Sequence, residues 1–239
     1  HAASTYKLSE NLHPTVWTGD VAVSTIKHYE GEQPLFLKIS FARPHSPYDP
    51  PQRILEMYEN IEIPAPAEGE WSKHIGKDIT DPKADSSAAF AQFSTEYVKN
   101  TRKHYYAAVT FIDEQVGRIV KALKEKGMYD NTIICFTSDH GDMMGDHHSW
   151  RKTYAYEGSA AIPMIIKTPK DVEGVHCRGK VIENPVELRD ILPTFLDAAG
   201  GETPEAMDGR SMLKLIKEEN PQWRRWIDME HATCYSEEN

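Results

Sequence analysis

The densest run of residues able to do chemistry is Thr137-Ser138-Asp139-His140-Gly141-Asp142-Met143-Met144-Gly145-Asp146-His147-His148-Ser149-Trp150-Arg151-Lys152. Asp139 and His140, a carboxylate and an imidazole side by side, can both reach one divalent cation where the backbone turns sharply, and Gly141 permits such a turn. A plain polar turn has the same look, its aspartate capping backbone amides and its histidines solvated. Both readings stand on spacing alone, because two adjacent donors are fewer than an ordinary metal site uses. Asp142, Asp146 and His148 are further donors, although solvated loop positions are the simpler account of each. Lys152 taken alone is a surface lysine. A second cluster, Arg43-Pro44-His45-Ser46-Pro47-Tyr48-Asp49-Pro50-Pro51, places His45 in a proline-rich loop, where an imidazole exposed to water is the plain expectation.

The elements that must position these residues follow from the apolar pattern. A helix is expected from about residue 20 to 29, with Val21, Thr25 and His28 on one face and Gly31 as its stop. Residues 34–41, nearly all apolar, have the length of a strand buried on both faces. Residues 60–90, rich in Pro, Ala, Gly and Ser, form a long excursion that suits a substrate-facing surface. The strongest helix spans about 93–126, with Tyr105, Val109, Ile112, Val116, Ile119 and Leu123 in alternating steps of three and four, lysines in its last turns and Gly127 at its end.

Residues 132–138 and 163–168 are two more strands, and 186–199 is a helix stopped by Gly200-Gly201. Strand, long helix and strand together suggest a right-handed crossover in a largely parallel sheet. Asp139 and His140 then fall just past the carboxyl end of a strand, where open α/β sheets bind ligands. The expected class is α/β, a mainly parallel sheet flanked by helices. Residues 1–200 would be its body and 201–239 the start of a smaller α+β subdomain, with a strand near 223–229.

Bulk composition narrows the partners. With 239 residues, 39% of them hydrophobic, the chain can bury a substantial core. A formal charge of −10, with acids spread along the length, gives no footprint for nucleic acid or an anionic membrane. No apolar run approaches the roughly 18–20 residues that span a bilayer. The chain therefore reads as soluble, in the cytoplasm or periplasm. Three widely spaced cysteines, Cys135, Cys177 and Cys234, fit neither a disulfide framework nor a thiolate zinc site, and lean towards a reducing compartment.

Several ordered segments carry a family resemblance. Ser-Asp-His-Gly-Asp-Met-Met-Gly-Asp-His at 138–147, then Lys152, Tyr156-Glu157-Gly158 and Ile162-Pro163-Met164-Ile165, resemble the second half of the sulfatase family, within the alkaline-phosphatase-like superfamily. Arg43-Pro44-His45-Ser46-Pro47-Tyr48 resembles its upstream histidine loop, Asp113-Glu114-Gln115-Val116-Gly117 its long helix, and Leu188-Arg189-Asp190-Ile191-Leu192-Pro193-Thr194 the helix after the active site. The resemblance implies that Asp139 and His140 are two ligands of a divalent cation, leaning to calcium, and that Lys152 contacts the sulfate oxygens. It further implies that His45 hydrogen-bonds the ester and helps protonate the leaving oxygen, and that His147 lines the substrate pocket. The substrate would be a small-molecule or saccharide sulfate ester.

The family's nucleophile is a formylglycine made from the Cys or Ser of a Cys-x-Pro-Ser-Arg type motif. None of the three cysteines here matches it: Cys135 is followed by Phe-Thr-Ser, Cys177 by Arg-Gly-Lys and Cys234 by Tyr-Ser-Glu. Formylglycine is therefore expected in an N-terminal portion outside these residues. The segment alone is expected to be inactive and to have an incomplete sheet, whose open edge would favour self-association. Two other functions fit the same residues, a phosphate or phosphonate monoester hydrolase of the same superfamily and a non-catalytic anion-binding module.

Overall fold

Helix α1 (Pro14–His28) starts at a proline whose fixed φ suits the first helical position, and the buried His13 caps it, its Nδ1 accepting the Thr15 amide at 3.1 Å. The computed structural model describes residues 3–78, 89–152, 154–172, 174–175 and 177–230. The inward face of α1 is Thr15, Gly19, Ala22 and Ile26, and Val21 of the expected stripe is exposed. The cause is close helix packing: a Cβ on Gly19 would come within 2.5 Å of Gln115 Oε1, so the small residues face the neighbour. The helix begins at Pro14, well before the expected residue 20, and ends within a residue of the expected 29, with Tyr29 rather than Gly31 closing it.

That neighbour is α3 (Thr95–Glu125), which follows the short α2 (Gln52–Glu56) and is capped by Ser94 Oγ accepting the Tyr97 amide at 3.2 Å. Gly19 meets Gln115, Asp20 pairs with Arg118, and the Lys27 carbonyl accepts from Lys126 Nζ. These contacts rise together in number, so α1 and α3 run in the same direction. Ile54 and Leu55 of α2 pack on Ala107 and Phe111 of α3 to make the main apolar cluster. Of the expected α3 stripe, Ile112, Ile119 and Leu123 are buried, whereas Val109 is exposed. Gly127, with φ of 74°, ends the helix as expected.

The strands form two pairs. β1 (Lys77–Asp78) runs parallel to β2 (Ala91–Gln92), and β3 (Ile134–Thr137) runs antiparallel to β4 (Met164–Lys167). The remaining helices are α4 (Glu157–Ala160), α5 (Ile191–Ala198) and α6 (Leu213–Lys217). Residues 34–41 form no strand among the described residues, so the crossover expected to start there is not seen. A run of apolar residues marks where a strand can form, but a ladder needs a neighbour, and here Phe36 is 73% exposed. Residues 223–229 form no strand either; the stretch is held by side chains, Trp223 Nε1 donating to the Pro185 carbonyl at 2.8 Å and Arg224 pairing with Asp190. Part of the expected excursion, 79–88, and Cys234 lie outside the described residues.

The chain divides into two units. One comprises His1–Asp130, Gly141–Lys152 and Tyr156–Ser159; the other comprises Asn131–His140, Thr153–Ala155 and Ala160–Asn239. The first holds the three-helix core. In the second, fully buried Asp190 organises the end of the chain, accepting from the Glu187 and Arg210 amides at 3.0 and 2.8 Å and from Arg224 at 2.6 and 2.8 Å. A buried carboxylate with this many donors is satisfied rather than reactive. Among the described residues no helix is long and apolar enough to cross a membrane.

Candidate active site

Asp139 and His140 leave the carboxyl end of β3 in the second unit. Ser138 Oγ donates to the His140 carbonyl at 2.7 Å, and the His140 amide donates to Asp139 Oδ1 at 3.1 Å. This tight turn brings Asp139 Oδ2 to 3.6 Å from His140 Nε2. Two donors at that separation suit two neighbouring positions around one cation, whose bonds to oxygen and nitrogen run at roughly 2.0–2.6 Å. The Asp139 side chain is 82% exposed, so its carboxylate is open to a ligand. Among the described residues no group of three or more His, Cys, Asp or Glu could enclose an ion. The pair therefore fits as two ligands and does not by itself make a site.

The loop that follows belongs to the first unit and is unusually constrained. Met144, His147, His148 and Arg151 all have positive φ, between 49° and 67°, and Gly145 has φ of 93°. For a non-glycine residue the left-handed region costs about 1–2 kcal/mol, so surrounding bonds must hold this shape. Asp142 is the main one: its Oδ1 accepts the Met144 and Arg151 amides, each at 3.0 Å, and its Oδ2 accepts the Tyr48 hydroxyl at 2.9 Å. The Met143 amide donates to the Arg151 carbonyl at 2.6 Å, closing the loop at its base. Trp150 anchors it from below, buried with Ala91 and Val98, its Nε1 donating to the Ala91 carbonyl at 3.1 Å.

Asp146 is tied as well, to the Ala67 amide at 2.9 Å and to Arg102 at 3.2 Å. Asp142 and Asp146, expected as solvated positions, are thus the hydrogen-bonding frame of the loop and not spare ligands. Gly141 is needed for closeness rather than for a turn: its amide bonds the Ser159 carbonyl at 2.8 Å, and a Cβ would collide with the Gly158 carbonyl oxygen. His147 donates its amide to the Ala67 carbonyl at 2.7 Å and sets its ring against Trp71 and Tyr156. Its Nδ1 is buried with no hydrogen-bond partner among the described residues. Lys152, at the end of the loop, is half-buried and makes no hydrogen bond or ion pair among the described residues.

His45 is exposed on the proline-rich loop of the same unit, its Nδ1 3.1 Å from the Ser46 carbonyl. A bidentate pair closes that loop beneath it, Arg43 Nε and Nη2 donating to Asp49 at 2.6 and 3.0 Å. Tyr48, fully buried, then joins this loop to Asp142. Burial, and secondarily the Asp142 charge, pushes the Tyr48 phenol far above its ordinary value, so it stays a donor at any working pH. The same two causes push Tyr105 up to about 12. Within the first unit the structure therefore connects the loops of His45, His147 and Lys152 through one hydrogen bond. The residue pattern missed this tie; its only signal was an aromatic residue amid four prolines. Burial also raises the Cys135 thiol, which fits a packing role for that residue.

Comparison with known proteins places these features. The sequence model of the family described as Sulfatase matches residues 9–201. The chain is 42% identical over 229 residues to an arylsulfatase of Clostridium perfringens, covering 93% of this chain and 46% of that protein. It is 33% identical to the multifunctional alkaline phosphatase superfamily protein PehA of Trinickia caryophylli, over 87% of this chain and 42% of that one. Among solved structures, the phosphonate monoester hydrolase of Silicibacter pomeroyi superposes with a TM-score of 0.75 at 30% identity, covering 90% of this chain and 43% of that one. The chain spans less than half the length of each. The α/β fold is of the alkaline-phosphatase-like kind.

Proposed function

The chain belongs to the sulfatase family, and from that premise we propose that it supplies cation- and sulfate-binding residues to a sulfuric ester hydrolase of arylsulfatase type. The observation that carries this is Lys152: a part-buried lysine with no hydrogen bond or ion pair among the described residues, at the end of a loop whose backbone is held in costly conformations. Its stem is covered while the ammonium keeps access to solvent, so the charge is available to an incoming anion.

When bound, a divalent cation held by Asp139 and His140, calcium by preference, supplies fixed positive charge, and formylglycine from outside these residues supplies the nucleophile. This chain's own residues do the rest. Lys152 places its charge against the equatorial oxygens of the sulfuryl group, where negative charge accumulates during transfer. His45, as imidazolium, gives its proton to the departing oxygen, an effect worth on the order of 100- to 10,000-fold. Its exposed position on a braced loop leaves it room to meet an ester. His147 lines the substrate pocket. The ester is a small-molecule or saccharide sulfate. Residues 1–200 belong to the catalytic body and 201–239 begin the smaller subdomain.

A second reading, phosphate or phosphonate monoester hydrolysis, is favoured by the structural likeness to the phosphonate monoester hydrolase. The experiment is to assay the full-length enzyme containing this chain with an aryl sulfate and an aryl phosphonate, before and after chelation. Sulfate turnover lost on chelation supports the first reading, phosphonate turnover alone supports the second, and turnover of neither by metal-loaded, matured enzyme would sink both.

A further inference from the structure

Three aromatic rings from separate stretches of the first unit meet at the tip of the Lys152 loop. Trp71 and Tyr156 are stacked, 17° apart in plane with centroids 5.9 Å apart. The His147 imidazole lies against both, at 4.8 Å from Trp71 and 5.1 Å from Tyr156. The group does not pack into the core, since Trp71 is 51% exposed. Leaving half an indole in water forgoes burial worth ~25 cal/mol per Å², whereas a rigid, flat apolar face is well suited to a ligand.

The seat of Trp71 is tightly made. It stands in the short turn Glu70–His74, and a Cβ on Gly69 would come within 2.5 Å of the indole Nε1. Fully buried Ser72 ties the turn to Gly69, accepting its amide at 3.1 Å and donating to its carbonyl at 2.7 Å. Two bonds at Ala67, its amide donating to Asp146 Oδ1 and its carbonyl accepting from the His147 amide, hold the same stretch against the loop tip.

We propose that Trp71 is a specificity-determining residue, its indole, backed by the Tyr156 ring, stacking on a planar aryl group on the leaving side of the ester. This rests on reading the site as a sulfate ester hydrolase. Lys152 lies five residues beyond His147 in one loop, within about 18 Å even for extended chain. An aryl ring suits the platform better than a sugar because neighbouring polar groups are engaged, Lys73 with Glu70, Asp146 with Arg102 and Ala67, Ser72 with Gly69, and the unpartnered His147 Nδ1 is buried out of reach. Sugar hydroxyls set there would lose water without finding replacement partners.

The test measures kcat and KM of the full-length, metal-loaded enzyme with 2-naphthyl sulfate and with a short alkyl sulfate. Trp71→Ala is expected to raise KM for the naphthyl ester roughly 2- to 10-fold and to leave KM for the alkyl ester and both kcat values unchanged. Trp71→Phe should recover most of the loss, and Gly69→Ala, which displaces the indole without removing it, should give a rise between the two. An equal change for both esters, or none for either, would overturn the proposal. Wild-type enzyme inert to both esters would instead refute the hydrolase reading. Quenching of tryptophan fluorescence by 2-naphthalenesulfonate, compared in wild type and Trp71→Phe, would then test the stacking seat by itself, and equal quenching would reject it.

Discussion

Tyr48 donates a 2.9 Å hydrogen bond to Asp142 Oδ2 across 94 residues of sequence, joining the loop of His45 to the loop of Lys152. Removing the hydroxyl leaves a carboxylate oxygen short of a donor in a partly buried place. Tyr48→Phe should therefore lower unfolding stability by about 1–3 kcal/mol, read as a shift in urea midpoint at constant slope. An unchanged midpoint would show that the tie contributes nothing.

On the proposed function Lys152 and His45 act at different bonds, so their loss should be distinguishable. Lys152→Ala should lower kcat about 100- to 1,000-fold for every sulfate ester, since it removes charge aimed at the transferring group. His45→Gln should leave nitrophenyl sulfate hydrolysis nearly intact but slow alkyl sulfates, whose leaving oxygen needs a proton, by on the order of 100-fold or more. Equal losses for both leaving groups in His45→Gln would remove it from the proton-donor role.

The cation proposal is checked by composition. Asp139→Asn and His140→Ala should each cut the bound divalent metal measured by elemental analysis. Because the Asp139 carboxylate is largely in water, the circular dichroism of Asp139→Asn should match wild type. Chelation of wild type should also lower Tm, because a ligand present at 100 times its Kd contributes about 2.7 kcal/mol. Full metal content in both variants would place the ion elsewhere.

Two buried histidines set a pH dependence of stability. Burial lowers the folded-state value of both His13 and His104 below the ordinary value, with the Asp49 charge opposing it at His13 and a bond to the Asn100 carbonyl opposing it at His104. A lowered value means that the unfolded chain takes up protons first as pH falls below about 6.5. The stability these neutral rings contribute is thus complete above that pH and is lost on acidification through the folded values. Protonation also removes the His13 lone pair that caps α1. The double variant His13→Asn, His104→Gln, which keeps a capping acceptor, should show a smaller fall in Tm between pH 7.5 and 5.5 than wild type.

Much of this was legible in the sequence where one regular period governed a long segment. Helix α3 and strands β3 and β4 follow their apolar patterns, and the turn after β3 puts Asp139 and His140 where strand-end chemistry is expected. Residues 34–41 misled because apolar content reports a capacity for pairing, not a partner. The face of α1 misled because close packing chose Gly19 and Ala22 over larger side chains. Asp142 and Asp146 misled most, since a carboxylate in a polar loop looks alike whether it is solvated or holds three donors. The cluster of Trp71, His147 and Tyr156 has no sequence period at all, being brought together only by the folded loop.

The frame of that loop and its tip obey different rules. Asp142, Trp150 and the Met143–Arg151 closure fix its base through backbone bonds and a buried indole. Asp146 and His147 at the tip instead present side chains to a neighbouring stretch. Such a loop works as an interchangeable cassette. On the proposed function, exchanging tip residues together with the turn at 69–72 would redirect which ester is accepted while Lys152 keeps its bearing, so substrate preference and catalytic competence would evolve as separate traits.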